Sequence, residues 1–517
     1  MCGQEHIPAA IKADSLATPA RVDDASIPSP AVIPSPSADA LVINASSSAA
    51  GTPAILSGTA AQPGPRPAPA RRLLTTLAAW YRLAVLCSRV QGRHRVVGQE
   101  PDAGQPVRIA EYELTTALLT ARAALGRPQA TFGEVRVLVR CHGIPVGQLE
   151  IPDSGDANAV EIPLMVKKQG LDQHECSHTW PVSVQERRSP ASVVIPTRDR
   201  PASLDRLITS LRAVAATDIE FLIVDNAPAT AATRDLVEAV GRADGRFRYL
   251  CEPRRGAARA RNTGLAAAGG RAIAFLDDDT QVDQHWLPAI LSGFDAADNV
   301  GCVTGLVLPD ELTTSAQIWF EQYGGFGKGF ERRVYDRWTR GSALYPYAAG
   351  AFGSGNNVAF DADTVRALGG FNEILGPGTP THAGEDLELF TRTIRSGHRI
   401  VYEPSAIVYH THRQQYGELL DQLRNYGTGL SAMLLAQATA SPRELLEIMR
   451  RVPAGLLFLL LPRSSKNVSR GPRFPAELVL TEVLGIASGP FAFARARRAQ
   501  LGGGDRSRSG EAEDHAR

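Results

Sequence analysis

Cysteine is scarce in this chain, with six in 517 residues. Cys2, Cys87, Cys141, Cys176, Cys251 and Cys302 are scattered without CxxC spacing, so neither a disulfide framework nor a four-cysteine zinc site is indicated, and a reducing cytosol fits. An excess of charge of either sign is also missing. Fifty-five basic against 54 acidic residues leave a formal charge of +1, which removes any bulk electrostatic reason to seek nucleic acid. The first residues lack a basic stretch followed by an apolar one, which argues against secretion. Long apolar runs are absent too. Leu456–Leu461 falls short of the roughly 20 residues a spanning helix needs, and Glu477 and Glu482 interrupt the next run.

The chain is nevertheless 44% hydrophobic and too long for one core, so two or three folded units are expected. Residues 1–70 are rich in Ala, Pro and Ser and read as a disordered arm that cannot bury enough apolar surface to offset its ordering entropy. Residues 71–186 read as a small α+β accessory unit. It opens with an amphipathic helix through Leu73, Leu77, Trp80, Leu83 and Leu86, and continues with Glu134–Arg140 and Ile144–Ile151 as hairpin partners across Gly143. His174, Cys176 and His178 would be a metal cluster only with a fourth ligand, and none is evident. Residues 187–415 form the main α/β domain, 416–500 a helical region, and 501–517 a polar, disordered tail.

Within the main domain one device recurs. Ser192–Thr197, Glu220–Asn226 and Ala272–Leu276 are short apolar runs that end in polar or acidic residues, separated by helical stretches, the first of which Ser203 would cap. Such alternation implies a mostly parallel sheet with helices on both faces, and open sheets of this kind bind ligands at their strand ends. Thr197, Asp225 and Asp277 would then share one edge. Asp277, Asp278 and Asp279 repel one another, so a cation belongs beside them, and an oxygen-rich site favours Mg²⁺ or Mn²⁺. Arg259 and Arg261 open a helix and would grip a base or phosphate.

Val194-Ile195-Pro196-Thr197, Ile223-Val224-Asp225, Gly256 with Ala260-Arg261-Asn262 and Gly264, and Phe275-Leu276-Asp277-Asp278-Asp279 occur in that order. They are followed by Gly355–Phe360, Leu368–Glu373 and Gly384–Leu389. The ordered set resembles the family 2 glycosyltransferases of the GT-A fold, whose DXD signature is here Asp277-Asp278-Asp279. The resemblance covers about Ser192 to His412.

It implies a metal-dependent, inverting transfer of sugar from a nucleoside diphosphate donor, UDP- or dTDP-linked, to a glycan or lipid-linked acceptor in envelope or extracellular polysaccharide synthesis. Pro196, Thr197, Asp225, Arg259, Arg261, Asn262, Asp277 and Asp278 would bind the nucleotide sugar. Asp279, with Asp277 and His410, would hold the metal, and His412 is the reserve. Asp386 would be the base and Glu385 its partner; the same pair also suits the first turn of a helix. Trp319, Asn356, Gly370 and Phe371 would face the acceptor, although aromatic residues are also ordinary core. A haloacid-dehalogenase-like phosphohydrolase, suggested by Asp277-Asp278-Asp279-Thr280, and a non-catalytic sugar-nucleotide binder are the alternatives. The basic, apolar C-terminal helices suit either an anionic bilayer or packing on the domain. The expected place is the cytoplasm, with peripheral contact to the inner face of the membrane.

Overall fold

The computed structural model describes residues 101–122, 131–155, 158–173, 190–339, 342–460, 464 and 473–514. The N-terminal arm, the helix through Leu73 and Leu86, and His174, Cys176 and His178 lie outside the described residues.

A four-stranded sheet comes first, made of β1 (Val107–Glu113), β2 (Leu118–Ala121), β3 (Glu134–Cys141) and β4 (Ile144–Pro152) in the order β2-β1-β3-β4. β3 and β4 pair antiparallel through a two-residue turn. His142 and Gly143 both take positive φ there, 50° and 78°, the geometry that matches strand twist. Helix α1 (Asn158–Lys168) lays Ile162 and Val166 against Val137, Val139 and Leu149. Cys141 is disulfide-bonded, a linkage that the scattered cysteine spacing did not suggest, whereas Cys251 and Cys302 are free.

The larger domain begins with β5 (Ala191–Thr197), α2 (Pro201–Arg212), β6 (Ile219–Asn226), α3 (Ala232–Ala243), β7 (Phe247–Glu252) and α4 (Ala257–Ala267). It continues through β8 (Ala272–Leu276), β9 (Thr280–Val282), α5 (Trp286–Ser292), β10 (Val300–Pro309) and α6 (Ser315–Tyr323). The last part comprises β11 (Arg333–Tyr335), β12 (Asn357–Asp361), α7 (Ala362–Ala367), α8 (Glu385–Arg395) and β13 (Arg399–His410). Its sheet has the order β11-β13-β10-β12-β8-β5-β6-β7, with β9 also paired to β13.

Strands β8, β5, β6 and β7 are parallel, as alternation of strand and helix requires. Beyond them the sheet is mixed: β12 runs antiparallel to both β8 and β10, and β10 and β13 are parallel. Successive strand side chains point to opposite faces, and each face has its own core. Val193, Ile195, Phe221 and Ile223 pack with α2 and α5, while Val194, Leu222 and Val224 pack with α4 and α8. Gly264 lets α4 lie directly on β5, because a Cβ there would sit 2.2 Å from Val194 Cγ1.

Two local expectations are corrected. Ser203 does not cap α2; the helix starts at Pro201, whose fixed φ suits the first helical position, and Ser203 lies inside the first turn. After α9 (Tyr416–Ala440) and α10 (Pro442–Leu460) comes helix α11 (Ala476–Asp514). The 476–501 stretch of α11 is long and apolar enough to cross a membrane by length and composition, despite Glu477 and Glu482, and 39% of its most apolar window is buried. It packs along α9, with Leu478, Thr481 and Glu482 buried.

Candidate active site

The ends of β5, β6 and β8 build one side of the site. Thr197 and Asp225 are partners in register, and Pro196 pairs with Val224 one step earlier. Asp225 is fully buried and accepts from Tyr249 Oη at 3.1 Å through Oδ2, while Oδ1 is buried with no partner. Burial pushes its carboxyl above the usual range.

The three acids after β8 separate into three environments. Asp277, about one-third exposed, accepts from Arg261 at 2.8 Å. Asp278 turns inward, accepting from Thr197 Oγ1 at 2.7 Å and from Arg200 at 3.3 Å; burial and the neighbouring Asp279 raise it to about 6. Asp279 faces His410 Nε2 at 3.3 Å and Arg413 at 3.7 Å through different oxygens, and Oδ1 makes no aligned hydrogen bond although it is buried. Burial would raise Asp279, but the facing His410, Arg413 and Arg200, the last 3.4 Å from Oδ2, outweigh it and hold the carboxyl well below the usual range.

Arg261 joins this side to the other. Its guanidinium is buried, lies 5.5 Å from the Phe371 ring, and donates both to Asp277 and, at 2.6 Å, to Glu385 Oε1 on α8. Burial together with the charge of Asp386 pushes Glu385 up to about 7 despite Arg261. Asp386 accepts from the backbone N–H of Gly355 at 2.9 Å and of Leu387 at 2.8 Å. Only a glycine permits the first contact, because a Cβ at position 355 would stand 2.8 Å from that of Asp386. Thus Asp277, Arg261, Glu385 and Asp386 share one cleft.

Other residues named from the sequence are placed differently. Arg259 donates to Glu373 at 3.2 Å, and Asn262 clamps the backbone of Phe371, donating to its carbonyl and accepting from its N–H. Asn262 and Gly370 therefore shape the wall: a Cβ at 370 would meet Asn262 Oδ1 at 2.6 Å. Asn356 is buried with Oδ1 unpartnered. Trp319 departs furthest from the acceptor role. It is 3% exposed, donates to the Pro101 carbonyl and packs edge-on to Phe474, so it is core between α6 and α11.

Behind Asp279 runs a relay that residue-level reading missed. His410 and His412 face each other at 2.9 Å through their Nδ1 atoms, and His412 Nε2 lies 3.0 Å from Glu321 Oε1. Glu321 in turn accepts from Arg136 of β3 at 2.7 Å. Burial opposes ionisation of Glu321, yet His412 and Arg136 hold it below the usual range, so it only accepts. Those partners assign the proton on His412 to Nε2 and leave its Nδ1 to accept from His410. His410 Nε2 is then turned to Asp279, and either a proton or a cation must lie between them. The only legible hint was the H-x-H spacing of His410 and His412, which puts both imidazoles on one strand face. Asn226 was missed as well: it accepts from Gly256 N at 2.8 Å and donates to the Arg254 carbonyl, which seats the start of α4.

Family models for glycosyl transferase family 2 and glycosyl transferase family group 2 match residues 192–350 and 272–471, spanning the cleft just described. The chain belongs to the family 2 glycosyltransferases. Its large domain is a mixed α/β sheet with helices on both faces. The pre-mycofactocin glycosyltransferase of Mycobacterium tuberculosis is 29% identical over 283 residues, 54% of this chain and 53% of that protein. The glucosyl-dolichyl phosphate glucuronosyltransferase of Haloferax volcanii is 22% identical over 171 residues, 30% of this chain and 48% of that protein. The chain thus spans about half the length of the curated relatives it matches. A mannosyltransferase from Pyrobaculum calidifontis, solved in complex with GDP-Man and Mn²⁺, is similar at 16% identity and a TM-score of 0.37, over 68% of this chain and 84% of that one.

Proposed function

We propose that this family 2 member is a metal-dependent, inverting glycosyltransferase that moves a sugar from a UDP- or dTDP-linked donor to a glycan or lipid-linked acceptor in cell-envelope or extracellular polysaccharide synthesis. One observation carries the reading: Arg261 bridges Asp277 and Glu385 and so places the acidic cluster and the Glu385-Asp386 pair around one cleft. The phosphohydrolase alternative needs a nucleophilic aspartate at the end of the first strand, where β5 ends in Thr197.

The donor's base would meet Asp225, whose buried, unpartnered Oδ1 suits an N–H such as uracil or thymine presents. Arg261 would lie against the diphosphate. Asp279 and His410 fit a divalent cation, because the orphaned Oδ1 and the facing Nε2 are complementary only to something positive. Among the described residues no group of three or more His, Cys, Asp and Glu side chains stands ready for a metal, and Mg²⁺ or Mn²⁺ takes its other ligands from phosphate and water. When bound, the cation would neutralise charge on the departing diphosphate. Asp386 would accept the acceptor hydroxyl's proton as that oxygen bonds the anomeric carbon and the bond to the diphosphate breaks on the opposite face. The reading places the protein in the cytoplasm.

Melting the purified protein against a panel of nucleotide sugars, with and without Mn²⁺, tests the donor. A true donor raises the midpoint by mass action, and Asp279→Ala removes the Mn²⁺-dependent part of the rise together with sugar transfer. Transfer by folded D279A at the parent rate would overturn the assignment. A donor-induced shift without transfer to any envelope acceptor would leave a binding protein.

A further inference from the structure

Helix α10 is amphipathic in an unusual sense, because its outward face is the apolar one. Ile448 and Leu459 point inward, the first against Tyr347 and Ala438, while Leu445, Leu446, Met449, Val452 and Leu457 are each 43–57% exposed. At about 100° per residue these five cover one arc of about 140°. The charges are sorted around that arc. Glu444 and Glu447 are turned to the body, where both pair with Arg395 at 2.9 and 3.2 Å. Arg443 and Arg450 stand at the edge of the arc, exposed and without an ion-pair partner among the described residues.

A second element lies alongside. Trp338 is 71% exposed beneath the guanidinium of Arg337, and with Tyr345 and Arg451 it walls a recess of about 410 Å³. Arg451 of α10 donates to the Tyr345 carbonyl at 3.1 Å, which ties the helix to this lip. From the lip the chain passes through Phe352 to Gly355, whose N–H holds Asp386.

We propose that α10 and the Trp338 lip form a docking surface for an anionic lipid bilayer, with the apolar arc at the level of the acyl boundary and Arg443 and Arg450 among the headgroups. An exposed apolar arc edged by free arginines, with tryptophan beside it, has the character of interfacial helices. A second copy of this chain is a poorer occupant. It would bring the same free arginines, and the acids of α10 that would answer them are engaged with Arg395. The docking stands on these observations alone. Its consequence, that the acceptor is lipid-linked and reaches the cleft from the Gly355 side, rests on the proposed transferase.

Flotation of the full chain with vesicles tests the surface. It floats with mixed phosphatidylglycerol and phosphatidylcholine and stays behind with phosphatidylcholine alone. The double substitution L446E and M449E lowers binding at least about tenfold with an unchanged melting midpoint, since both side chains are exposed. R443Q and R450Q cost about fivefold each and reduce the salt dependence. Absence of flotation, equal flotation of the L446E and M449E variant, or a concentration-dependent dimer removed by the same two substitutions would overturn the proposal. The Mn²⁺-dependent donor shift in vesicle-free buffer separates the two readings: a retained shift without flotation ends only the docking surface, and flotation without a shift ends only the transferase.

Discussion

The two halves of the large sheet meet at one cleft but assemble it by different means. In the parallel half each chemical group stands at or just past the end of its own strand. Thr197 closes β5, Asp225 stands one residue from the end of β6, and the three acids follow β8 directly. In the mixed half the groups come from distant segments. Asp386 opens a helix and is held by Gly355, and His410 ends β13 and leans on His412 and, through it, on Glu321 and on Arg136 of the other sheet. The parallel half is therefore a repeated local device that lines up polar groups at its strand ends, whereas the mixed half is a tertiary construction whose parts hold one another in place.

The comparison breaks most visibly at Asp386, the residue of the mixed half assigned to proton transfer. Asp386→Asn keeps the shape and an oxygen for the Leu387 N–H but removes the proton acceptor. Turnover should fall about 10²–10⁴-fold, the usual range for loss of a general base. The Mn²⁺-dependent donor shift, which rests on Asp225, Asp279 and His410 and not on Asp386, should remain. Steady-state rates beside melting curves check it, and a loss of donor binding as large as the loss of turnover would show that the halves do not divide the labour in this way.

That division also explains how much was legible beforehand. Strand-end residues are readable because period-two burial and a terminal acid stand next to one another in the chain, as at Phe275-Leu276-Asp277. The inward turn of Asp278 was not readable, since it depends on Thr197 and Arg200 arriving from another strand and helix. Asn262 carries the same lesson. Its place after Arg261 suggested a donor contact, yet its amide spends both ends on Phe371, more than a hundred residues away in sequence. The antiparallel insertion of β12 between β8 and β10 left no sign in composition, because a fully buried strand reads alike in either direction.

A smaller effect is expected from Arg136, which sharpens the comparison by reaching the site from outside the large sheet. Arg136→Ala leaves the Glu321 carboxylate without its cation and loosens the hydrogen bonds that orient His412 and then His410. Outer-shell partners of this sort are worth about 10–100-fold in metal affinity. Mn²⁺ binding, measured by the electron spin resonance signal of the free ion, should weaken by about tenfold, and Arg136→Lys should restore part of it. Nucleotide binding without metal should be unchanged, because Asp225 and Arg261 are untouched by the relay.

The smallest effect belongs to Trp319, and it separates packing from recognition inside the mixed half. If the ring served the acceptor, Trp319→Phe would raise the acceptor KM and leave stability alone. The structure leads to the opposite outcome. The indole donates to the Pro101 carbonyl at 2.9 Å and sits edge-on to Phe474, at a centroid distance of 5.7 Å, where an acceptor could reach it only by displacing α11. Phenylalanine would keep the aromatic contact, lose a hydrogen bond worth about 1 kcal/mol and leave a small void. The melting midpoint should drop by a few degrees while the acceptor KM stays within about twofold. A changed KM at constant stability would return this aromatic group to the acceptor side and move the boundary between core and cleft.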